Sequence, residues 1–288
     1  MIIKLNKKII VISILIVGFV STTISFVYTL ASGAEDEGVR VPAIMYHHVL
    51  NDKALHGKYV VPTELFEADM KYLIEQGYTA VFISDLIDYV EGKKELPPKP
   101  ILITFDDGYA TVDDYVLPIL QKYKVKAIVS IVGSYTDKYS ADNINGHLSY
   151  NNLSWAQVKK LSDSGFVEIQ NHSYDMHGMC ASRKGIKKNR GESEEEYKKS
   201  VTDDIMKNQQ KIAEVCKKTP TCFTYPFGYI TKQSDEFIKS IGVKATLSCR
   251  SGVSKIVKGN KDSLFHIKRY NRPFGEKSED FFAKTIEK

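Results

Sequence analysis

The chain has 288 residues, of which 43% are hydrophobic and 26% are charged, so it is long enough to bury one substantial core. Its 40 Lys and Arg against 35 Asp and Glu give a formal net charge of +5. Basic and acidic residues are mixed along the chain, which argues against nucleic acid as a partner and allows loose attraction to an anionic wall or membrane surface.

The N-terminal residues differ in composition from the rest of the chain. Three lysines among the first eight residues precede a stretch without charge at 9–30. An apolar stretch of about 20 residues can span a bilayer as a helix, and lysines before it favour a cytoplasmic N-terminus. The small residues at 31–34 also suit cleavage of a signal peptide. We therefore predict that residues 1–34 are a membrane anchor or a signal peptide and that residues 35–288 form one extracytoplasmic domain, membrane-anchored or secreted.

From Val41 onward, short β-branched runs alternate with amphipathic segments. Seven segments are predicted to be strands: 43–46, 80–83, 101–105, 127–132, 167–170, 222–225 and 244–247. Alternation of strands and helices is typical of βα units that build a parallel sheet, so the predicted fold class is α/β.

Two helices are indicated by apolar residues at helical spacing. The first carries Phe66, Met70, Leu73 and Ile74 on one face and is predicted to end at Gly77. The second carries Tyr197, Val201, Ile205 and Ile212. The basic, polar stretch 182–194 is predicted to be a solvated loop.

Four cysteines, Cys180, Cys216, Cys222 and Cys249, are compatible with export, where disulfides persist. Their spacing matches no zinc finger, and they permit three complete pairings. Free thiols buried as small apolar side chains are the alternative interpretation.

Two adjacent carboxylates, Asp106 and Asp107, directly follow the predicted strand 101–105. The C-terminal ends of parallel strands are where α/β barrels carry their active sites. An Asp-Asp-Gly sequence is also a common turn, so these carboxylates need partners before they indicate chemistry.

Candidate partners are His172 and His177, which follow the predicted strand 167–170. Histidines five residues apart lie on different faces of a helix, so they converge on one ion only from a strand end and its loop. One carboxylate and two imidazoles leave coordination positions open, as in a catalytic rather than a structural zinc site.

These motifs resemble those of the polysaccharide deacetylase family, the NodB-homology group of carbohydrate esterase family 4. The resemblance covers about residues 41–272 and depends on three motifs, at 104–109, 172–177 and 224–228. It implies a distorted (β/α) barrel. The spacing of the two histidines is most similar to that of the branch that includes poly-N-acetylglucosamine deacetylases.

Membership would give the motif residues distinct roles. The resemblance implies that Asp107, His172 and His177 bind a divalent metal, with Zn²⁺ expected and Co²⁺, Ni²⁺ or Mn²⁺ as alternatives. It also implies that Asp106 is the catalytic base. The backbone N–H of Phe227 is then the donor to the oxyanion that forms when the acetamide is attacked.

The chain departs from the family pattern in two places. Thr224 stands where the third motif usually has an arginine that orients the base, and Arg269 is our candidate replacement, with a surface arginine as the alternative. The histidine that serves as general acid normally lies near the C-terminus, where His266 is found. His47 fits the apolar-to-His pattern better, as in the permuted biofilm branch. Its neighbour His48 is expected to point the other way by strand alternation.

Three aromatic residues, Tyr109, Tyr229 and Trp155, could stack on sugar rings, although Trp155 begins a predicted helix and core packing suits it better. The expected substrate is a polysaccharide that carries N-acetylglucosamine, and the expected state is a monomer. Alternatives are a peptidoglycan deacetylase, an O-acetyl esterase on a glycan, or an inactive carbohydrate-binding relative.

Overall fold

The structure, a computed structural model, describes residues 38–141, 151–178, 183–231 and 233–287. The predicted anchor or signal peptide at 1–34 lies outside these ranges, as do Cys180 and Ser182. No helix within the described ranges is long and apolar enough to cross a membrane.

The strands of the described residues are β1 Val39–Val41, β2 Ala43–Tyr46, β3 His48–Val49, β4 Val60–Val61, β5 Thr79–Ala80, β6 Pro100–Phe105, β7 Ala127–Ile131, β8 Val167–Asn171, β9 Cys222–Thr224, β10 Ala245–Leu247, β11 Ser254–Ile256 and β12 Tyr270–Asn271. The main sheet is parallel and has the strand order β10-β9-β8-β7-β6-β2-β12, with β5 beside β6. Ile267, just before β12, forms a parallel bridge with Leu247 of β10. The chain at one edge of the sheet thus contacts the other edge, and the sheet is curled, consistent with the predicted barrel type.

The helices of the described residues connect the strands. They are α1 Thr63–Glu75, α2 Ile83–Val90, α3 Leu117–Tyr123, α4 Gly133–Ala141, α5 Trp155–Asp163, α6 Glu194–Cys216, α7 Ser234–Ser240 and α8 Ser278–Thr285. The predicted second helix corresponds to α6. It begins at a capping box, in which Ser193 and Glu196 each accept the other's backbone N–H.

Successive side chains of β6 point alternately to the two faces of the sheet. Leu102 belongs to an inner apolar cluster, whereas Ile101, Ile103 and Phe105 join the cluster beneath the outer helices. A strand that is buried on both faces is apolar at nearly every position, and this pattern is what predicts a strand at 101–105. Thr104 follows Leu102 on the inner side, because successive side chains of a strand point to opposite faces.

One predicted strand is partly wrong. Residues 80–83 were expected to be extended, but β5 ends at Ala80 and α2 begins at Ile83. The helix starts there because Glu168 of β8 accepts the backbone N–H groups of Ile83 and Ser84 at 3.0 and 3.3 Å. A carboxylate from a distant strand satisfies N–H groups that a helix start leaves unpaired.

The first helix has a narrower buried face than predicted. Phe66, Met70 and Leu73 are buried, but Ile74 is 42% exposed. Helix α1 ends at Glu75, and Gly77 follows with a left-handed φ of 78°. The helix ends one residue after Ile74, so that side chain lies at its last turn and faces solvent.

The prediction that 182–194 is a solvated loop is correct for only some of its described residues: 187–191 are exposed, whereas Arg183 and Ile186 are buried. Arg183 is only 4% exposed and Ile186 is fully buried. The Arg183 guanidinium pairs with Glu192, donates to the Lys187 carbonyl at 2.6 Å and lies over the Tyr197 ring. These contacts replace the interactions with water that the arginine loses on burial.

The three described cysteines are free thiols. Cys216 and Cys222 are buried, whereas Cys249 is exposed. Burial raises the pKa of the Cys216 and Cys222 thiols, so these two behave as small apolar side chains.

Candidate active site

A cleft of about 480 Å³ lies at the C-terminal edge of the parallel sheet. It is lined by seven of the eight residues that the sequence assigns to the site: His47, Asp106, Asp107, Tyr109, His172, His177 and Phe227. Parallel strands bring these residues together because all their C-terminal ends meet at one edge. The eighth, Arg269, contacts Asp106 from within the sheet.

A tight turn follows β6 and sets the direction of the two carboxylates. Asp107 and Gly108 have left-handed φ values of 70° and 68°. A Cβ on Gly108 would lie 2.9 Å from Cγ2 of Ile131, so this position requires glycine. The Asn152 side chain donates to the Asp107 carbonyl at 2.7 Å and fixes the turn.

Asp107, His172 and His177 form a group with the spacing of a metal site. One ligand atom from each lies within 4.8 Å of the others. Asp107 Oδ1 is 3.2 Å from Nε2 of His177 and 3.5 Å from Nε2 of His172. This buried oxygen has no hydrogen-bond partner among the described residues. An unsatisfied carboxylate oxygen that faces two imidazole nitrogens fits a divalent cation.

The orientation of His172 is fixed from behind. Its Nδ1 donates to the backbone carbonyl of Thr224 at 2.8 Å, so Nε2 presents its lone pair to Asp107 and His177. The Thr224 hydroxyl in turn is 2.7 Å from the Ser130 hydroxyl. Thr224 therefore orients His172, a candidate metal ligand, rather than Asp106.

Asp106 is held by a buried arginine. Arg269, with no exposed surface, donates to both Asp106 carboxylate oxygens at 2.7 and 2.8 Å. It also donates to the Ser248 carbonyl at 2.9 Å and the Thr104 hydroxyl at 3.1 Å. Burial opposes ionisation of Asp106, but the Arg269 charge and hydrogen bonds outweigh it and hold its pKa well below the usual range.

The three histidines that are candidates for the general acid differ in whether they line the cleft. His47 lines the cleft, and its ring lies 4.7 Å from that of Tyr59. Burial lowers the pKa of His47 more than the Asp106 and Asp107 charges raise it. His266 does not line the cleft; its Nε2 lies 2.8 Å from Asp235 Oδ1.

The expectation that His48 points away from the cleft is wrong. His48 also lines it, and its ring stacks on Tyr109 at 4.2 Å with an interplanar angle of 4°. His47 lies between β2 and β3 rather than within one strand, so the alternation of a continuous strand does not apply. Burial lowers the pKa of His48 to about 4.

Phe227 lies in a strained turn beside His177, one of the three candidate metal ligands. Its φ is 57° within the short 3-10 turn Pro226–Gly228, a conformation that is uncommon for a bulky residue. Its ring stacks on His177 at 4.5 Å. Gly185 packs against this turn, where a Cβ would lie 2.8 Å from the Pro226 carbonyl.

The other aromatic candidates lie outside the cleft lining. Trp155 opens α5, packs against the core and donates Nε1–H to Asp137 at 2.8 Å. The Tyr229 ring lies 6.1 Å from that of Phe227 and 3.8 Å from the Lys187 ammonium.

Several lining residues escaped the sequence analysis. Lys58, Tyr59, Asn271 and Cys249 all border the cleft. Tyr59 and Lys58 belong to a polar segment without helical or strand periodicity. An isolated tyrosine there gives no signal, because its place depends on the pairing of β3 with β4.

Comparison with known proteins gives a family match. Residues 93–246 match the family model described as polysaccharide deacetylase. A poly-beta-1,6-N-acetyl-D-glucosamine N-deacetylase of Escherichia coli is 26% identical over 251 residues, which cover 80% of this chain and 37% of that protein. The chain thus spans well under half the length of this relative.

Two solved structures are similar over most of the chain. A de-N-acetylase from Aggregatibacter actinomycetemcomitans is 26% identical, with a TM-score of 0.67, and the match covers 84% of this chain and 96% of that one. A Streptococcus pyogenes deacetylase in complex with acetate is 17% identical, with a TM-score of 0.69, and the match covers 87% of this chain and 100% of that one. At 17% identity, the similarity to the second structure shows a shared fold alone.

Proposed function

Because the chain belongs to the polysaccharide deacetylase family, we propose that it is a metal-dependent hydrolase that removes N-acetyl groups from N-acetylglucosamine residues of an extracellular polysaccharide. The substrate we favour is a poly-N-acetylglucosamine-like polymer. The similarity to the E. coli enzyme, which is named for poly-β-1,6-N-acetylglucosamine, supports this choice.

One observation carries the proposal: an ionised carboxylate and a three-residue metal-binding group lie side by side in one cleft. Asp107, His172 and His177 would hold the ion, and Zn²⁺ suits a set of two imidazoles and one carboxylate with open positions. A divalent ion bound there supplies Lewis-acid polarisation of the acetamide carbonyl.

Asp106 is the residue we assign as base. Its carboxylate would take a proton from the attacking water, and Arg269 keeps it charged and fixed in direction. Each carboxylate oxygen has two lone pairs, so the bidentate contact still leaves one on each oxygen for that water. The strongly lowered pKa makes Asp106 a weak base, so its position contributes more than its basicity.

The two remaining roles concern the carbonyl oxygen and the leaving amine. We assign the backbone N–H of Phe227 to the developing oxyanion, because its turn borders the metal-binding group. We assign proton donation to His47, since the amine leaves poorly until it is protonated. Tyr109, which also lines the cleft, would contact the sugar.

The N-terminal residues bear on where the enzyme works. We place residues 1–34 as a membrane anchor or signal peptide and residues 35–288 as the deacetylase domain, outside the cytoplasm. The charge-free stretch after three lysines supports this assignment. The domain is expected to act as a monomer.

The test is acetate release with added Zn²⁺ from three acetylated polymers: poly-N-acetylglucosamine, purified peptidoglycan and O-acetylated xylan. We expect release from the first to be fastest and to fall by at least 100-fold in Asp106→Asn. Faster release from peptidoglycan or xylan would reassign the substrate. Absence of release from all three would favour a carbohydrate-binding relative without activity.

A further inference from the structure

Two exposed aromatic side chains are carried by neighbouring segments beside the cleft. Tyr59 is 48% exposed and lines the cleft, whereas Phe274 is 47% exposed and does not. The backbone N–H of Phe274 donates to the Gly57 carbonyl at 2.9 Å. Gly57 lies two residues before Tyr59, in a bend in which the Gly57 N–H donates to the Val60 carbonyl at 3.0 Å, so the two rings are carried by neighbouring segments.

Phe274 forms a wall of a second cavity of about 350 Å³. His56 lies beside it, with the two ring centres 4.9 Å apart. The other lining residues are Pro62 and three with polar side chains: Asn51, Lys53 and Glu64. An aromatic face with polar groups around it suits the apolar face and the hydroxyl rim of a pyranose ring.

The polar groups of this cavity have defined hydrogen-bonding roles. His56 Nε2 is 2.8 Å from the Leu50 carbonyl, to which it must donate, so Nδ1 of the neutral ring is an acceptor. Asn51 Oδ1 accepts the backbone N–H of Thr63 at 3.0 Å, which leaves its Nδ2 as the donor for a ligand. A donor and an acceptor beside an aromatic ring match vicinal sugar hydroxyls.

The segment between the cleft and the second cavity is ordered by backbone pairing. His48 N–H donates to the Tyr59 carbonyl at 3.1 Å, and Leu50 N–H donates to that of Val61 at 2.9 Å. Asn271, which borders the cleft, donates from Nδ2 to the Lys58 carbonyl at 2.8 Å. A surface fixed in this way loses little entropy when a ligand binds.

We propose that the cavity of Phe274 and His56 is a second glycan subsite. It binds a sugar unit of the same polymer whose acetylated unit occupies the catalytic cleft. This inference rests on the proposed deacetylase function. The segments 56–59 and 271–274 contribute lining residues to both the cleft and the second cavity, which supports one polymer as the occupant of both. The subsite favours chains that are long enough to contact Phe274 while another unit occupies the cleft.

The experiment compares a dimer and a hexamer of β-1,6-linked N-acetylglucosamine as substrates of Phe274→Ala. We expect kcat/KM on the hexamer to fall about 3- to 10-fold, the effect of one aromatic contact, and kcat/KM on the dimer to stay unchanged. Phe274→Trp should restore the preference for the hexamer. Met206→Ala is the matched control, since Met206 is 51% exposed on α6, away from both cavities.

An equal loss on both oligomers, or no loss on either, overturns the subsite. Calorimetric titration with the hexamer separates this result from failure of the proposed function. If the wild-type protein releases no acetate, the function is wrong, and weaker hexamer binding by Phe274→Ala than by Met206→Ala still supports the subsite. Equal binding by the two variants, or none by the wild type, refutes it.

Discussion

Replacing Arg269 with Met removes the partner of the carboxylate that we assign as base. Both residues are buried, and the guanidinium donates to both Asp106 oxygens. Removing one member of a buried pair leaves an uncompensated charge and costs about 3–5 kcal/mol. At roughly 2–4 °C per kcal/mol for a domain of this size, the melting temperature should fall by about 6–20 °C.

The same substitution should move the pH profile of acetate release. Arg269 holds the pKa of Asp106 below its ordinary value against the effect of burial. Without it burial dominates, the pKa rises, and the carboxylate is protonated at a higher pH. Since a base acts in its ionised form, the acidic limb of kcat/KM should shift to higher pH. A lowered folded-state pKa also means that the pair stabilises the fold above the unfolded pKa, about 3.9, and loses that effect as pH falls.

The chain offers a matched control in a second buried pair. Arg272 donates to both oxygens of Asp69 at 2.8 and 3.0 Å, and both residues are fully buried. Arg272→Met should cost similar stability but leave the acidic limb in place. The reasoning is refuted if Arg269→Met unfolds within about 1 kcal/mol of the wild type and keeps its acidic limb, because a pair that positions the base cannot be neutral in both measurements.

Three further predictions follow from the site and the fold. His172→Ala should weaken Zn²⁺ binding by more than the roughly 10- to 100-fold that loss of an outer partner costs, measured by calorimetry; unchanged affinity would remove His172 from the ligand set. His47→Ala should slow acetate release about 100- to 10,000-fold while His266→Ala leaves it near wild type, and the reverse result would reassign the acid. Asp85→Asn should lower the free energy of unfolding at pH 7 by about 2 kcal/mol, because Lys126 and Lys94 lower the Asp85 pKa to about 2 against the effect of burial. That loss should disappear as pH falls from about 4 to 2 in chemical denaturation, and a pH-independent difference would contradict it.

The sequence predicted the inner strands well for a physical reason. Segments such as 101–105 and 127–132 are apolar throughout because both faces are covered, and they lie close to β6 and β7. The strand predicted at 80–83 failed because Glu168, from another strand, caps α2 at Ile83. A local pattern carries no information about that contact.

The candidate site also contains residues that the sequence predicts and residues that it does not. Asp107, His172 and His177 were identifiable because metal-ligand residue types follow strands, and the structure brings their ligand atoms together. Whether Arg269 lies at the surface or beside Asp106 depends on a contact between residues 163 positions apart. Tyr59 was missed because it reaches the cleft through the pairing of two short strands. Roles within the site remain predictions for the experiments above.

The contact between Arg269 and Asp106 also makes the site depend on the segment that follows β11. All three candidate metal ligands lie before residue 178, whereas the partner of Asp106 lies 163 residues after it. A chain clipped by a protease before Arg269 keeps the ligands but lacks the group that orients the base. It also lacks the buried Phe282 of α8, so this loss is expected to impair both the packing of the domain and amide hydrolysis.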